Sequence, residues 1–159
     1  MPRPRLQITA GAFPLGIGIS EALDHGQLQT IAAAQAQLQV GRIREAFRAG
    51  GHHRRGGTQW APLRPRVVRR RARRGRTTIL IDTGRLRNTI FGTAEVSHGA
   101  YGASVTLRIT APAPYARFHQ NGTATMPARP PLEFTTQDAA QIAESIKAQA
   151  DRLLMREGV

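Results

Sequence analysis

The residues of this chain whose types could do chemistry are five histidines, four serines and the triplet Asp82-Thr83-Gly84. His52 and His53 are neighbours on a glycine-rich stretch and could supply at most two metal ligands. His25, His98 and His119 are scattered, with no His-Glu-x-x-His spacing and no acid-rich cluster beside them. The chain has no cysteine, which excludes disulfides, thiolate nucleophiles and cysteine-based zinc sites. Ser20, Ser97, Ser104 and Ser145 lie in neither a Gly-x-Ser-x-Gly elbow nor a Ser-x-x-Lys pair. The Asp82 triplet has the form of an aspartic-protease signature, but that chemistry needs two carboxylates sharing a proton. The chain carries one such triplet; a homodimer could supply the second, and Arg85 is an ill-suited neighbour for the dyad. The sequence points to no catalytic residue, no cofactor and no metal.

Charge is the other source of chemistry. The 159 residues include 22 Arg, one Lys and 10 acidic residues, giving a net charge of +13. No acid occurs between Ala46 and Ile81, where Arg64, Arg66, Arg69, Arg70, Arg71, Arg73, Arg74 and Arg76 crowd together. A run of that density repels itself and is expected to stay extended until a polyanion, nucleic acid or an acidic protein surface, neutralises it. A solvated basic loop is the plain alternative. The length suits one domain, 1–159. The most apolar early stretch, AGAFPLGIGIS, is far short of the roughly 20 residues that span a membrane. It also lacks the layout of a signal peptide, so the reading is of a soluble protein used in the cell that makes it.

Secondary structure must position these groups. Residues 1–19 form an N-terminal arm with a short strand over Leu6 to Thr9. A long amphipathic helix is expected from Gln27 to Ala49, capped by Ser20 and stopped by Gly50-Gly51. Residues 50–76, GGHHRRGGTQWAPLRPRVVRRRARRGR, read as an extended loop in which Trp60 and Leu63 act as a hydrophobic pin. TTILI at 77–81 reads as a short strand, followed by a turn at the Asp82 triplet and a segment with Leu86 and Ile90. Two further strands are joined through Gly99 and Gly102, the second alternating Val105, Leu107 and Ile109 with polar residues. PYARFHQNG reads as one helical turn closed at Gly122, MPARPP as extended, and Thr135 or Thr136 as the cap of a C-terminal helix.

Taken in order, REAFRAGG, TQWAPL, the basic segment, ILIDTGRLRNTI, PYARFHQNG and MPARPPLEF resemble the phage virion morphogenesis proteins, the tail-completion or neck proteins of tailed bacteriophages. The matching signatures are a W-x-PL loop, an L-x-DTG-x-L-x-x-S/T segment, a YA-x-x-H-x-x-G turn and a PARPFL-like turn before the last helix. Together they run from about Arg44 to Leu154. The chain departs from the pattern in having PPL at 130–132 in place of PFL, and a longer, more basic insert after Trp60.

The resemblance implies an α+β fold: an antiparallel sheet of about three to five strands packed by the long N-terminal helix and the C-terminal helix, with a long basic loop. It implies a non-enzymatic virion protein at the head–tail junction, made in the bacterial cytoplasm. Its copies would form a homo-oligomeric ring, taken as a hexamer, that joins the head connector to the tail. Adjacent neck or connector proteins and tail-terminator or tail-tube proteins would be its partners, with DNA contact in the lumen and no membrane. The residues expected to carry assembly are Trp60, Leu63, Asp82, Gly84, Leu86, Tyr115, His119, Gly122 and Arg129, with Phe118 helping to shape the YA-x-x-H turn. The rival reading is a basic nucleic-acid-binding protein acting through the arginine-rich segment.

Overall fold

The computed structural model describes residues 5–157; the first four residues of the N-terminal arm and the last two of the chain lie outside them. The fold is α+β, with a three-stranded antiparallel sheet in the order β1-β3-β2. Strand β1 (Leu6–Pro14) is longer than its sequence signal and pairs with β3 (Gly102–Ala111), from Leu6 opposite Ala111 to Pro14 opposite Ser104. A bulge between Thr9 and Ala12 breaks that register. Strand β2 (Phe91–Gly99) forms the expected hairpin with β3 and takes its other side. The strands are therefore not a simple meander: the last one is central.

Alternation along β3 decides what the sheet covers. Ala103, Val105, Leu107 and Ile109 are buried, while Ser104, Thr106 and Arg108 face outward. Helix α2 (His25–Ala49) lies across the buried face and presents Leu28, Ile31, Ala32, Ala36, Val40, Ile43 and Phe47 to the core. Its small residues allow a close approach, with Gly92 of β2 packed against the Ala36 carbonyl. Helix α6 (Thr136–Glu157) packs on α2 through Ile142, Ile146 and Ala150. The Gln35 amide of α2 donates to the Ser145 hydroxyl of α6 at 2.6 Å, so a polar pair is satisfied between the helices.

Two local expectations are corrected. Ser20 does not cap α2. It lies in a separate helix, α1 (Gly16–Ala22), where its hydroxyl donates to the Gly16 carbonyl and accepts from the Ala103 amide, both at 2.6 Å. Asp24 is the cap instead, in a reciprocal box with Gln27 at 2.8 Å each way. TTILI is not a strand: Ile79 and Leu80 sit in a turn, and Leu80 adopts φ 58°. Ile79, Leu80 and Ile81 pack against a second core cluster around Phe47, Trp60, Leu86 and Ile90, so they are partly buried without sheet pairing.

A third correction concerns residues 50–76, which are neither extended nor structureless. Gly51 bridges to Gln59, His53–Arg55 forms a single 3-10 turn, and Pro65–Ala72 is a helix, α3. Pro65 is pre-set for the first helical turn, and arginine and alanine are good helix formers. The expected self-repulsion is relieved locally. Arg64 donates to the Thr125 carbonyl at 2.8 Å, Arg71 to the Thr78 carbonyl at 3.3 Å, and Asp82 lies 3.7 Å from Arg76.

Candidate interaction cleft

The motifs singled out in the sequence fold onto one another. Helix α4 (Arg85–Thr89) follows the Asp82 triplet, and helix α5 (Ala116–Asn121) carries His119. The Arg129 amide donates to the His119 carbonyl at 2.7 Å. The Gln120 side chain clamps Leu132, donating to its carbonyl at 2.9 Å and accepting from its amide at 3.3 Å. Gly122 closes α5 at φ 74°, where a side chain would strike Ala128 and Met126 backbone atoms within 2.9 Å. The YARFHQNG and MPARPPL segments are thus one interlocked unit.

The tryptophan loop is tied to that unit. Trp60 is 3% exposed, stands edge-on to Phe47 at 5.2 Å, and donates from Nε1 to the Pro130 carbonyl at 2.9 Å. It is an internal pin and offers no surface to a partner. Arg129 is 5% exposed and spends its guanidinium on this chain, donating to the carbonyls of Ala61 at 2.7 Å and Pro62 at 2.8 Å. Behind the loop, Asp138 is 1% exposed. Thr135 caps α6, its hydroxyl accepting from the Asp138 amide while the Asp138 carboxylate accepts from the Thr135 amide, both at 3.0 Å, and Asp138 sits 3.3 Å from the Arg55 guanidinium.

Between α3, the Asp82 turn, α5 and the turn at residues 123–129 lies a cleft of about 580 Å³. Of the residues singled out in the sequence it gathers Leu63, Arg64, Arg70, Arg71, Asp82, Gly84, Leu86, Tyr115, His119 and Arg129. Gly84 starts α4 at φ 77°, a left-handed position that lets the Asp82 turn pass directly into helix. Trp60 and Gly122 support the walls without lining them. Phe118 is turned outward, with the Arg117 guanidinium 4.8 Å from its ring. Arg66, Arg69, Arg73, Arg74 and Arg76 are exposed outside the cleft.

Sequence reasoning missed Val67, Leu80, Arg85, Thr125, Met126 and Pro127, which also line the cleft. Val67 and Arg70 are three apart on α3, a spacing visible in the sequence once a helix is assumed. Nothing local announces that residues 125–127 turn toward α3.

The cleft is electropositive. Five arginines (Arg64, Arg70, Arg71, Arg85 and Arg129) line it against one carboxylate, Asp82, which is 4.0 Å from Arg71 and 3.7 Å from Arg76. Burial lowers the pKa of Arg129, and the charges of Arg71 and Arg64 add to that lowering. His119 is likewise held below its ordinary 6.5, first by burial and then by Arg129 and Arg71. Nothing in this array resembles a nucleophile with its base. Asp82 faces arginines, not a second carboxylate. Among the described residues no three His, Asp or Glu converge as metal ligands, and no helix is long and apolar enough to cross a membrane.

Searches of curated proteins and of solved structures find no match to the chain. The model of the phage virion morphogenesis family matches residues 21–150, from α1 to the middle of α6, and takes in the pinned loop and every wall of the cleft. The chain belongs to the phage virion morphogenesis family.

Proposed function

We propose that this protein is a structural, non-enzymatic subunit of a tailed-phage virion that acts at the head–tail junction, where its copies form a ring joining the head connector to the tail. The family match over residues 21–150 carries this reading. The structure supports it in one respect: the signature residues hold loops together around a cleft, and that arrangement serves binding rather than turnover. Ring neighbours, the adjoining neck or connector proteins, and tail-terminator or tail-tube proteins are the proposed partners.

Deleting the gene from its phage or prophage and imaging the lysate by negative-stain electron microscopy tests the proposal. Filled heads beside separate, finished tails are expected. Normal infectious particles would overturn the reading.

One observation favours a second reading. The outward set Arg66, Arg69, Arg73, Arg74 and Arg76 is exposed, and of these only Arg76 lies near a carboxylate. A nucleic-acid-binding protein would use such a surface, and DNA in the lumen of a ring would meet it. Binding through about six phosphates would fall roughly a thousandfold between about 50 and 200 mM salt.

A further inference from the structure

Part of the arginine-rich window lines the cleft, and the charge there is unbalanced: Arg64, Arg70, Arg71, Arg85 and Arg129 line it against one carboxylate, Asp82. Arg70 and Arg85 line the cleft, and among the described residues neither guanidinium has a hydrogen-bond or ion-pair partner. Arg129 is buried with backbone carbonyls as its partners and no carboxylate in ion-pair reach. Asp82, the one acid present, is already shared between Arg71 and Arg76. Arg70 and Arg85 are solvent-exposed, so water satisfies them in the free chain, and their charge together with that of buried Arg129 makes the cleft complementary to an anion.

The floor between these arginines is apolar: Leu63, Val67, Leu80, Leu86, Tyr115 and Met126. We propose that the cleft is a docking site for an extended acidic segment of a partner protein, one that sets carboxylates on either side of an apolar side chain. Guanidinium forks match carboxylates in bidentate geometry, and the floor receives the side chain between them. Three features select this occupant. A cleft of about 580 Å³ has the size of a small-ligand or peptide-side-chain site, whereas a duplex presents its phosphates on a broad cylinder suited to the outward arginines. The apolar floor has no counterpart in a sugar–phosphate backbone. A second copy of this chain carries only 10 acids against a net charge of +13, so charge complementarity at this cleft favours a different and acidic chain.

This inference rests on the reading of the protein as an assembly subunit and gives that subunit the chemistry of one neighbour. Its test uses the purified full chain, so it can fail while the particle phenotype stands, and the reverse. The probes are fluorescein-labelled peptides, acidic Asp-Leu-Glu-Leu-Asp and neutral Asn-Leu-Gln-Leu-Asn, read by anisotropy at about 0.15 M salt. The acidic peptide is expected to bind at least about tenfold more tightly than the neutral one. The double variant Arg70→Gln/Arg85→Gln should weaken it by about tenfold or more with an unchanged melting temperature. The outward double variant Arg69→Gln/Arg73→Gln should leave it within about twofold, since neither side chain lines the cleft and exposed charges outside it contribute little. Three results would overturn the proposal: no saturable binding of the acidic peptide, equal losses in the two double variants, or an oligo-deoxythymidine probe that binds more tightly than the peptide and is the one lost with Arg70 and Arg85.

Discussion

Residues 50–63 and 64–76 are both arginine-bearing and glycine- or proline-punctuated, yet they are attached to the protein in different ways. In the first half the attachment is internal. Thr58 donates its amide and hydroxyl to Glu133 at 3.0 and 3.1 Å, Arg55 meets the buried Asp138, and Trp60 enters the core. In the second half, α3 rests on the body through one face, while Arg66, Arg69, Arg73 and Arg74 remain in solvent. The difference teaches that charge density alone does not make a segment mobile. What matters is whether each guanidinium finds a carbonyl or carboxylate, and where the intervening apolar side chains go.

The sharpest way to break this comparison is Trp60→Ala. The indole fills a fully packed position and holds the Pro130 carbonyl, so the loss is expected at about 3–5 kcal/mol in chemical denaturation. A loss below about 1 kcal/mol would mean that the first half is as loosely attached as the second.

A titration sharpens it further. Arg55 donates to Nδ1 of His52 at 3.3 Å, which requires an unprotonated acceptor there. His52 is held below its ordinary 6.5 by burial, with Arg55 adding to the lowering and Glu133 opposing it. Unfolded chains take up that proton near 6.5, but the folded protein resists until lower pH. The unfolded state then binds more protons, and stability declines as pH falls below about 6.5. His119 adds an effect of the same sign beneath the second half. The melting temperature should drop between about pH 7.5 and 5.5, and His52→Gln should flatten that drop more than His119→Gln if the first half is the more firmly buried.

The smallest effect is expected at the outward arginines. Replacing Arg66, Arg69, Arg73 and Arg74 together by Gln should change folding stability by less than about 0.5 kcal/mol per site in the same denaturation experiment. On the nucleic-acid reading it should also strip most salt-dependent binding to DNA. A cooperative loss of stability would show that these residues belong to the attached set after all.

Much of this is legible in the sequence, for identifiable reasons. Period-two alternation along Val105, Leu107 and Ile109 declared a half-buried strand, and Gly99 and Gly102 declared its hairpin. The α+β class is what the family resemblance implies, and the strand alternation and the helical spacing of Ile142, Ile146, Leu153 and Leu154 agree with it. Asp24 and Gln27 have the spacing of a capping box, but the better-known capping residue Ser20 drew the helix start away from them. Helix α3 was hidden because its polar face is entirely arginine, a composition that argues for disorder when partners are not known. The TTILI segment misled because β-branched residues bury equally well in a turn that has a core beneath it. The cleft gathered most of the residues singled out by motif, but its empty guanidinium sites could not be read from the sequence. They depend on Asp82 being shared with Arg76 and on residues 125–127 turning back toward α3.

The position of β1 has a consequence for the order of events during synthesis. Leu6 pairs with Ala111, more than a hundred residues later, and β3 must be in place before the first strand has anything to join. At about 5–20 residues per second, the ribosome leaves that strand without its partner for several seconds. Closing so long a span makes its pairing a late and slow step compared with the β2–β3 hairpin, whose partners are adjacent. Until then the apolar Ile8 and Phe13 stay open to solvent or to other nascent chains. The bulge at Gly11 and the closing Pro14 make that waiting edge a poor template for wrong pairing. The bulge and the proline thus guard the first strand during the delay that its distant partner imposes.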